Sequence, residues 1–214
     1  MSGASPRMSR SRTPDRIAET ALQLFNTFGE PNVTTNRIAD ELEISPGNLH
    51  YHFKTKHDLI DNLFGQFERR MLELLGGDGI DEADVEDAWL FLHLVFENIA
   101  AYRFIYRDLN EICTRSRDLH RRIRAILKLS MRTASDLLAG LERNGQLQAM
   151  ETERESMVRN VVLISSYWIA FDQVMEPDSE PHPNRAAIQV MSLVSPYLRG
   201  TAREQFEHLA NAYR

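Results

Sequence analysis

Residues 34 to 60, TTNRIADELEISPGNLHYHFKTKHDLI, narrow the possible folds more than any other stretch. They predict a short helix, a tight turn, a second short helix and the start of a third. Ile38, Ala39 and Leu42 recur at helical spacing and give the first helix one apolar face. Thr34 or Thr35 can cap it, with a side-chain oxygen on a free backbone N–H. The helix stops at Leu42-Glu43-Ile44. Ser45 follows as an N-cap, with Pro46 at the first helical position, where its missing N–H costs nothing. The second helix has two core-type residues, Leu49 and Phe53, spaced to share one face. Between them stand Asn48, His50, Tyr51 and His52, all hydrogen-bonding groups. Thr55, between Lys54 and Lys56, caps the next helix.

A two-turn helix that turns so narrow a stripe inward suits an outer face that touches something polar. Two short helices joined by a tight turn form the helix-turn-helix, which sets its second helix in the major groove of DNA. An ordinary helical hairpin with a solvated face has the same pattern, so spacing alone leaves DNA binding open. Upstream, Thr13-Pro14 opens a helix whose buried stripe is Ile17, Ala18, Ala21, Leu24, Phe25 and Phe28. Gly29 and Pro31 end it. This helix completes a three-helix unit.

Residues 13 to 60 resemble the N-terminal domain of the TetR (tetracycline-repressor) family of bacterial transcription regulators. The resemblance is carried by F-x-x-x-G at Phe25 to Gly29, T-x-x-x-I-A at Thr34 to Ala39, and S-x-G-x-L-x-x-x-F-K-x-K-x-x-L at Ser45 to Leu59. Two positions depart from the family pattern. Glu43 stands in the turn where the family usually has glycine. If that turn needs positive φ, Glu43 costs on the order of 1 kcal/mol. His50-Tyr51-His52 stands where the family often has Tyr-x-Tyr. The resemblance implies that Thr34, Thr35, Asn36, Arg37, Ser45, Gly47, Asn48, His50, Tyr51, His52, Lys54 and Lys56 form the DNA-binding set. Asn48 would read a base edge, and Asn pairs best with adenine. Lys54 and Lys56 would hold phosphates at the N-terminus of the following helix, so Lys56→Ala is expected to weaken all DNA about equally.

The net charge of −6 opposes a nucleic-acid partner at first sight. Its distribution softens the objection. Residues 1 to 58 hold seven Lys/Arg against seven Asp/Glu, so the whole excess lies in residues 59 to 214. Residues 1 to 12 are Ser- and Arg-rich and read as a disordered basic arm. The domain reading is therefore 1–12 arm, 13–58 helix-turn-helix, and 59–214 a helical effector-binding and dimerisation domain. Hydrophobic content of 43% and charged content of 26% are those of a soluble globular protein. No secretory signal and no membrane-length apolar run appear, and the one cysteine, Cys113, excludes an internal disulfide. These features fit the cytoplasm.

Beyond residue 58 every periodic segment is helical, and no strand alternation appears, so the fold class is all-α. Helices are expected from Thr55 to Leu75, Asp81 to Ala101, Ser116 to Asn144, Thr152 to Met175, Asn184 to about residue 198, and Thr201 to Tyr213. Between them, Phe104 to Cys113 reads as a shorter helix or two turns. The arginines 115, 117, 121, 122 and 124 cluster near one helix start and read as a solvated face. The helix from 152 is apolar nearly all round from Val158 to Phe171, which predicts burial on most sides. With the helix after it, it makes residues 152–198 the expected homodimer surface, as the resemblance also implies. Trp89, Phe96, Tyr102, Met131, Trp168 and Phe171, with Phe104 and Met175, can line an apolar effector pocket or equally be ordinary core packing, with His93 a core or edge histidine beside them. The family default for that effector is a hydrophobic small molecule.

No metal-binding spacing, phosphate loop or nucleophile motif is found, so no cofactor and no enzyme activity are expected. The leading function is a ligand-responsive homodimeric repressor on a near-palindromic operator in double-stranded DNA. The alternatives are a helical protein-interaction adaptor or a helical enzyme.

Overall fold

The computed structural model describes residues 13–77, 79, 82–177 and 179–212. The arm expected at 1–12, and Asp81 and Tyr213 at two expected helix ends, lie outside the described residues. Eleven α-helices follow in order among them: α1 Thr13–Phe28, α2 Thr35–Glu41, α3 Pro46–His52, α4 Lys56–Leu75, α5 Val85–Ala101, α6 Arg103–Arg107, α7 Leu109–Arg115, α8 Arg117–Arg143, α9 Glu151–Met175, α10 Pro183–Val194 and α11 Thr201–Ala212. Their one β pairing is an isolated antiparallel bridge between Leu147 and Leu198. No described helix is long and apolar enough to cross a membrane. The chain forms two compact units, divided between Phe64 and Gly65 within α4. The boundary read at residue 58 lies on the same helix.

In the first unit the caps set the helix starts. Thr34 Oγ1 accepts from Arg37 N and Ser45 Oγ accepts from Asn48 N, both at 3.2 Å. Thr55 and Asp58 exchange bonds, the side chain of each accepting from the other's backbone N–H, at 2.9 and 3.1 Å. Ile17, Ala21, Phe25, Ile38, Leu49 and Leu59 are fully buried and make the core. Phe28 departs from the expected stripe. It is 44% exposed, and its ring carries the Arg37 guanidinium 3.8 Å above its centre.

The α2–α3 turn is the tightest local feature. Ile44 N donates to Ala39 O and Glu43 N to Asp40 O, the paired bonds of a Schellman helix end. This geometry needs a left-handed residue, and Glu43 supplies it with φ 54°. Gly145 does the same job with φ 70° at the end of α8. Glu43→Gly is therefore expected to raise stability by about 0.5–1 kcal/mol: the relief of left-handed strain, about 1–2 kcal/mol, exceeds glycine's added chain entropy. Urea unfolding of the two proteins measures it; a loss of stability would mean that Glu43 is not strained.

In the second unit α8 packs on α9 and α7, and α5 packs on α10 and α11. α5 starts at Val85, because Asp84 Oδ1 accepts from both Glu86 N and Asp87 N while the Asp87 carboxylate accepts from Asp84 N. The 104–113 segment forms two helices, α6 and α7. α9 and α10 begin at Glu151 and Pro183, one residue before the expected caps at Thr152 and Asn184. α9 is not buried on most sides. Leu163, Tyr167 and Phe171, with Val174 and Met175, are each 43% exposed or more and share one stripe of the helix. Of the arginine cluster, Arg115 pairs with Glu111, Arg121 with Asp118, and Arg122 with Glu68 on α4.

Candidate nucleic-acid interface and interior cavity

α3 turns Leu49 into the core and leaves Gly47, Asn48, His50 and Tyr51 exposed, Tyr51 at 82%. His52 is half-buried, with its ring edge-on to Tyr51 at 5.1 Å. The His50 Nδ1 faces the Lys54 carbonyl at 3.3 Å. A carbonyl only accepts, so a hydrogen bond there has Nδ1–H as its donor. A Cβ on Gly47 would meet only Ser45 Oγ, at 3.9 Å, so nothing inside the chain requires glycine there. Ser45, Asn36 and Lys54 are exposed, and Thr35 is half-buried.

Lys56 is placed differently from Lys54. Its ammonium lies 2.8 Å from Glu30 Oε1, donates to Glu30 O at 2.6 Å, and stands 5.6 Å from the centre of the Phe25 ring. The Glu30 side chain is fully buried, and the Lys56 side chain is 26% exposed. Sequence reasoning missed this pair. The charges are opposite, but 26 residues separate them and neither sits in a helical register with the other.

In the second unit a cavity of about 80 Å³ opens among α4, α5, α6, α8, α9 and α10. α5 gives Ala88, Phe91, Leu92, Val95 and Ile99, and α8 gives Leu127, Ala134 and Leu137. Ser130, Ser165, Ser166 and Tyr106 are its polar groups. Burial pushes the Tyr106 phenol well above its ordinary range. No group of three or more His, Cys, Asp or Glu among the described residues is placed to hold a metal ion.

Residues 17–63 match the bacterial regulatory proteins of the tetR family, and residues 66–206 match a bacterial transcriptional repressor domain named TetR. A TetR-family transcriptional regulator from Marinobacter aquaeolei VT8 is 33% identical, with a TM-score of 0.83 over 95% of this chain and 99% of that one. The chain belongs to the tetR family of bacterial regulatory proteins. As a tetR-family protein it is a non-enzymatic DNA-binding regulator, and α2 and α3 are its helix-turn-helix. An HTH-type transcriptional regulator of Staphylococcus aureus (strain USA300) is 52% identical over 44 residues, a match that spans 24% of that relative's length and 21% of this chain. The ketosteroid transcriptional regulator KstR2 of Mycobacterium tuberculosis shares the fold, at 18% identity and a TM-score of 0.65 over 90% of this chain and 98% of that one.

None of the nine residues expected in or at the edge of this regulator's pocket lines the cavity. Trp89 and Phe96 are buried on another side of α5, and His93 pairs with Glu97 at 3.1 Å. Tyr102 Oη donates to Gln66 Oε1 at 3.3 Å. Trp168 is half-buried with its ring 5.9 Å from that of Phe171, while Phe171 and Met131 are 57% and 36% exposed. A register shift explains the difference on α5: Leu92 and Val95 face the cavity, one residue before His93 and Phe96.

Proposed function

We propose that the chain is a homodimeric repressor that acts in the cytoplasm, binds a near-palindromic operator, and leaves it when a small molecule enters the cavity. The observation that carries the DNA reading is the outer face of α3, where Asn48, His50 and Tyr51 are exposed around a glycine that nothing inside the chain requires. A missing side chain at that point lets DNA approach the helix closely. Asn48 fits adenine in the major groove, and the exposed His50 ring can reach a base edge or a phosphate. Arg37 over Phe28, Lys54, and the backbone N–H groups at the starts of α2 and α4 suit phosphates. Thr34 and Ser45 hold the helix starts, and Lys56 holds Glu30.

One reading head covers a short half-site, so two copies related by a two-fold axis are needed to read a palindrome. The exposed α9 stripe, with the adjacent face of α10, is the surface within 152–198 that a second copy would cover.

Selection of duplex DNA from a random pool, with affinity repeated at two salt concentrations, tests this function. A near-palindrome should be enriched, and its affinity should fall steeply with salt, by about 0.9 log units per log unit of salt for each phosphate neutralised. No enrichment together with salt-independent binding would sink it. In the same assay Asn48→Ala should lose about 1–3 kcal/mol of discrimination at one base pair of each half-site. A uniform loss over all sequences would instead place Asn48 on the backbone.

A further inference from the structure

We propose that the cavity of the second unit takes an uncharged ligand: a short, mainly hydrocarbon molecule with one hydrogen-bonding group, such as an alcohol or a carbonyl. This rests on the reading of that cavity as the effector site and adds the chemistry that the site admits.

The lining contains no Asp, Glu, Lys, Arg or His. A carboxylate or ammonium entering it would shed its water and meet no opposite charge, which is strongly unfavourable. The polar groups are four hydroxyls, and they are not equivalent. Ser130 donates to Ile126 O at 3.0 Å, and Ser166 donates to Val162 O at 2.7 Å. Their protons are therefore occupied inside their own helices. The Ser165 and Tyr106 hydroxyls have no protein partner among the described residues. Each can donate to a ligand oxygen or accept from a ligand hydroxyl. The cavity thus offers a hydrocarbon wall and a small number of hydrogen-bonding points.

The volume limits size. About 80 Å³ is roughly half of the ~150 Å³ apolar cavity that admits benzene. A ligand of a few carbons fits within it without rearrangement.

Two cavity-lining methionines, Met71 and Met191, supply a direct reporter, and the exposed Met150 and Met175 supply controls. The experiment titrates the full-length protein, labelled with ¹³C at its methionine methyls, with 1-butanol, butanoate and butylammonium. These probes share a carbon chain and differ in charge. 1-Butanol should shift the Met71 and Met191 signals saturably and leave Met150 and Met175 unmoved. Butanoate and butylammonium should need at least tenfold higher concentration for the same shift. Ala134→Leu, which fills part of the cavity, should weaken 1-butanol at least fivefold, and Ser165→Ala should weaken it while leaving the controls in place.

Equal or tighter binding of either ion, or no saturable shift with any probe, overturns the proposal. DNA binding is then measured with and without 1-butanol. If the alcohol saturates the cavity and DNA affinity does not change, the ligand class stands and the effector reading falls. The two failures are thereby separated.

Discussion

Lys56→Met is expected to destabilise the first unit by about 2–3 kcal/mol. Breaking a fully buried ion pair costs about 3–5 kcal/mol, because the remaining charge is left in a poor solvent. The figure here is lower because a quarter of the Lys56 side chain meets water, which screens the pair. The substitution removes a cation from beside the fully buried Glu30 carboxylate, and the bond that Lys56 makes to Glu30 O. The chain around Glu30 leads into α2, so the damage falls on the entry to the helix-turn-helix. Urea unfolding followed by far-UV circular dichroism measures the loss. The double variant Glu30→Gln, Lys56→Met should recover most of it, since it removes both charges. A phosphate contact behaves otherwise. If Lys56→Met leaves the unfolding midpoint unchanged and lowers the salt slope of DNA binding by about one, Lys56 serves DNA and not the fold.

The second large effect is expected at the α9 stripe. Phe171 is 57% exposed in one copy, so Phe171→Glu should change the stability of the isolated chain by no more than about 0.5 kcal/mol. In a two-fold interface the residue counts twice. Burying the exposed part of two phenylalanines contributes about 2–3 kcal/mol of association, and two carboxylates brought together weaken it further. The dimer dissociation constant should rise at least a hundredfold. Sedimentation velocity at micromolar concentration should then show a monomer where the parent protein shows a dimer. Operator affinity should fall with it, because each reading head then binds a half-site alone. A Phe171→Glu protein that remains dimeric would move the interface off this stripe.

These two residues also mark what the sequence reveals and what it hides. The helix-turn-helix was legible because its signals are local. Thr34, Ser45 and Thr55 each cap a helix three residues from the N–H they accept, and such short-range chemistry shows in spacing. The strain at Glu43 was legible for the same reason, once the turn was placed. The Lys56–Glu30 pair was not, since a charge carries no sign of which way its side chain turns. The partner that decides it, Glu30, lies in another part of the unit.

The cavity lining was hidden for a different reason. α5 is buried on two sides: Trp89 and Phe96 look one way, and Leu92, Val95 and Ile99 another. Apolar periodicity reports burial and not what lies opposite. Large aromatic side chains fill space, so the wall of a void is built mostly from smaller ones. The expected aromatics divide otherwise: Trp89 and Phe96 are buried elsewhere, while Tyr102, Trp168 and Phe171 are half-buried or exposed. The α9 stripe is the counterpart: apolar residues nearly all round were read as burial and as a homodimer surface, and one copy leaves part of the helix uncovered.

The small bridge between Leu147 and Leu198 has a consequence for how this protein can vary. Gln148 N donates to Tyr197 O at 3.0 Å and Arg199 N donates to Gln146 O at 2.8 Å, so the chain on either side of α9 and α10 is pinned to itself. Everything between is a closed loop fastened at its neck. The connection from Glu176 to His182 sits at the far end of that loop, where its length does not move the neck. Added residues there raise the closure cost only with the logarithm of loop length, about 0.6 kcal/mol per doubling. Changes of length there leave the neck in place, while within the connection Glu176 holds Arg185 and Glu180 pairs with Arg103.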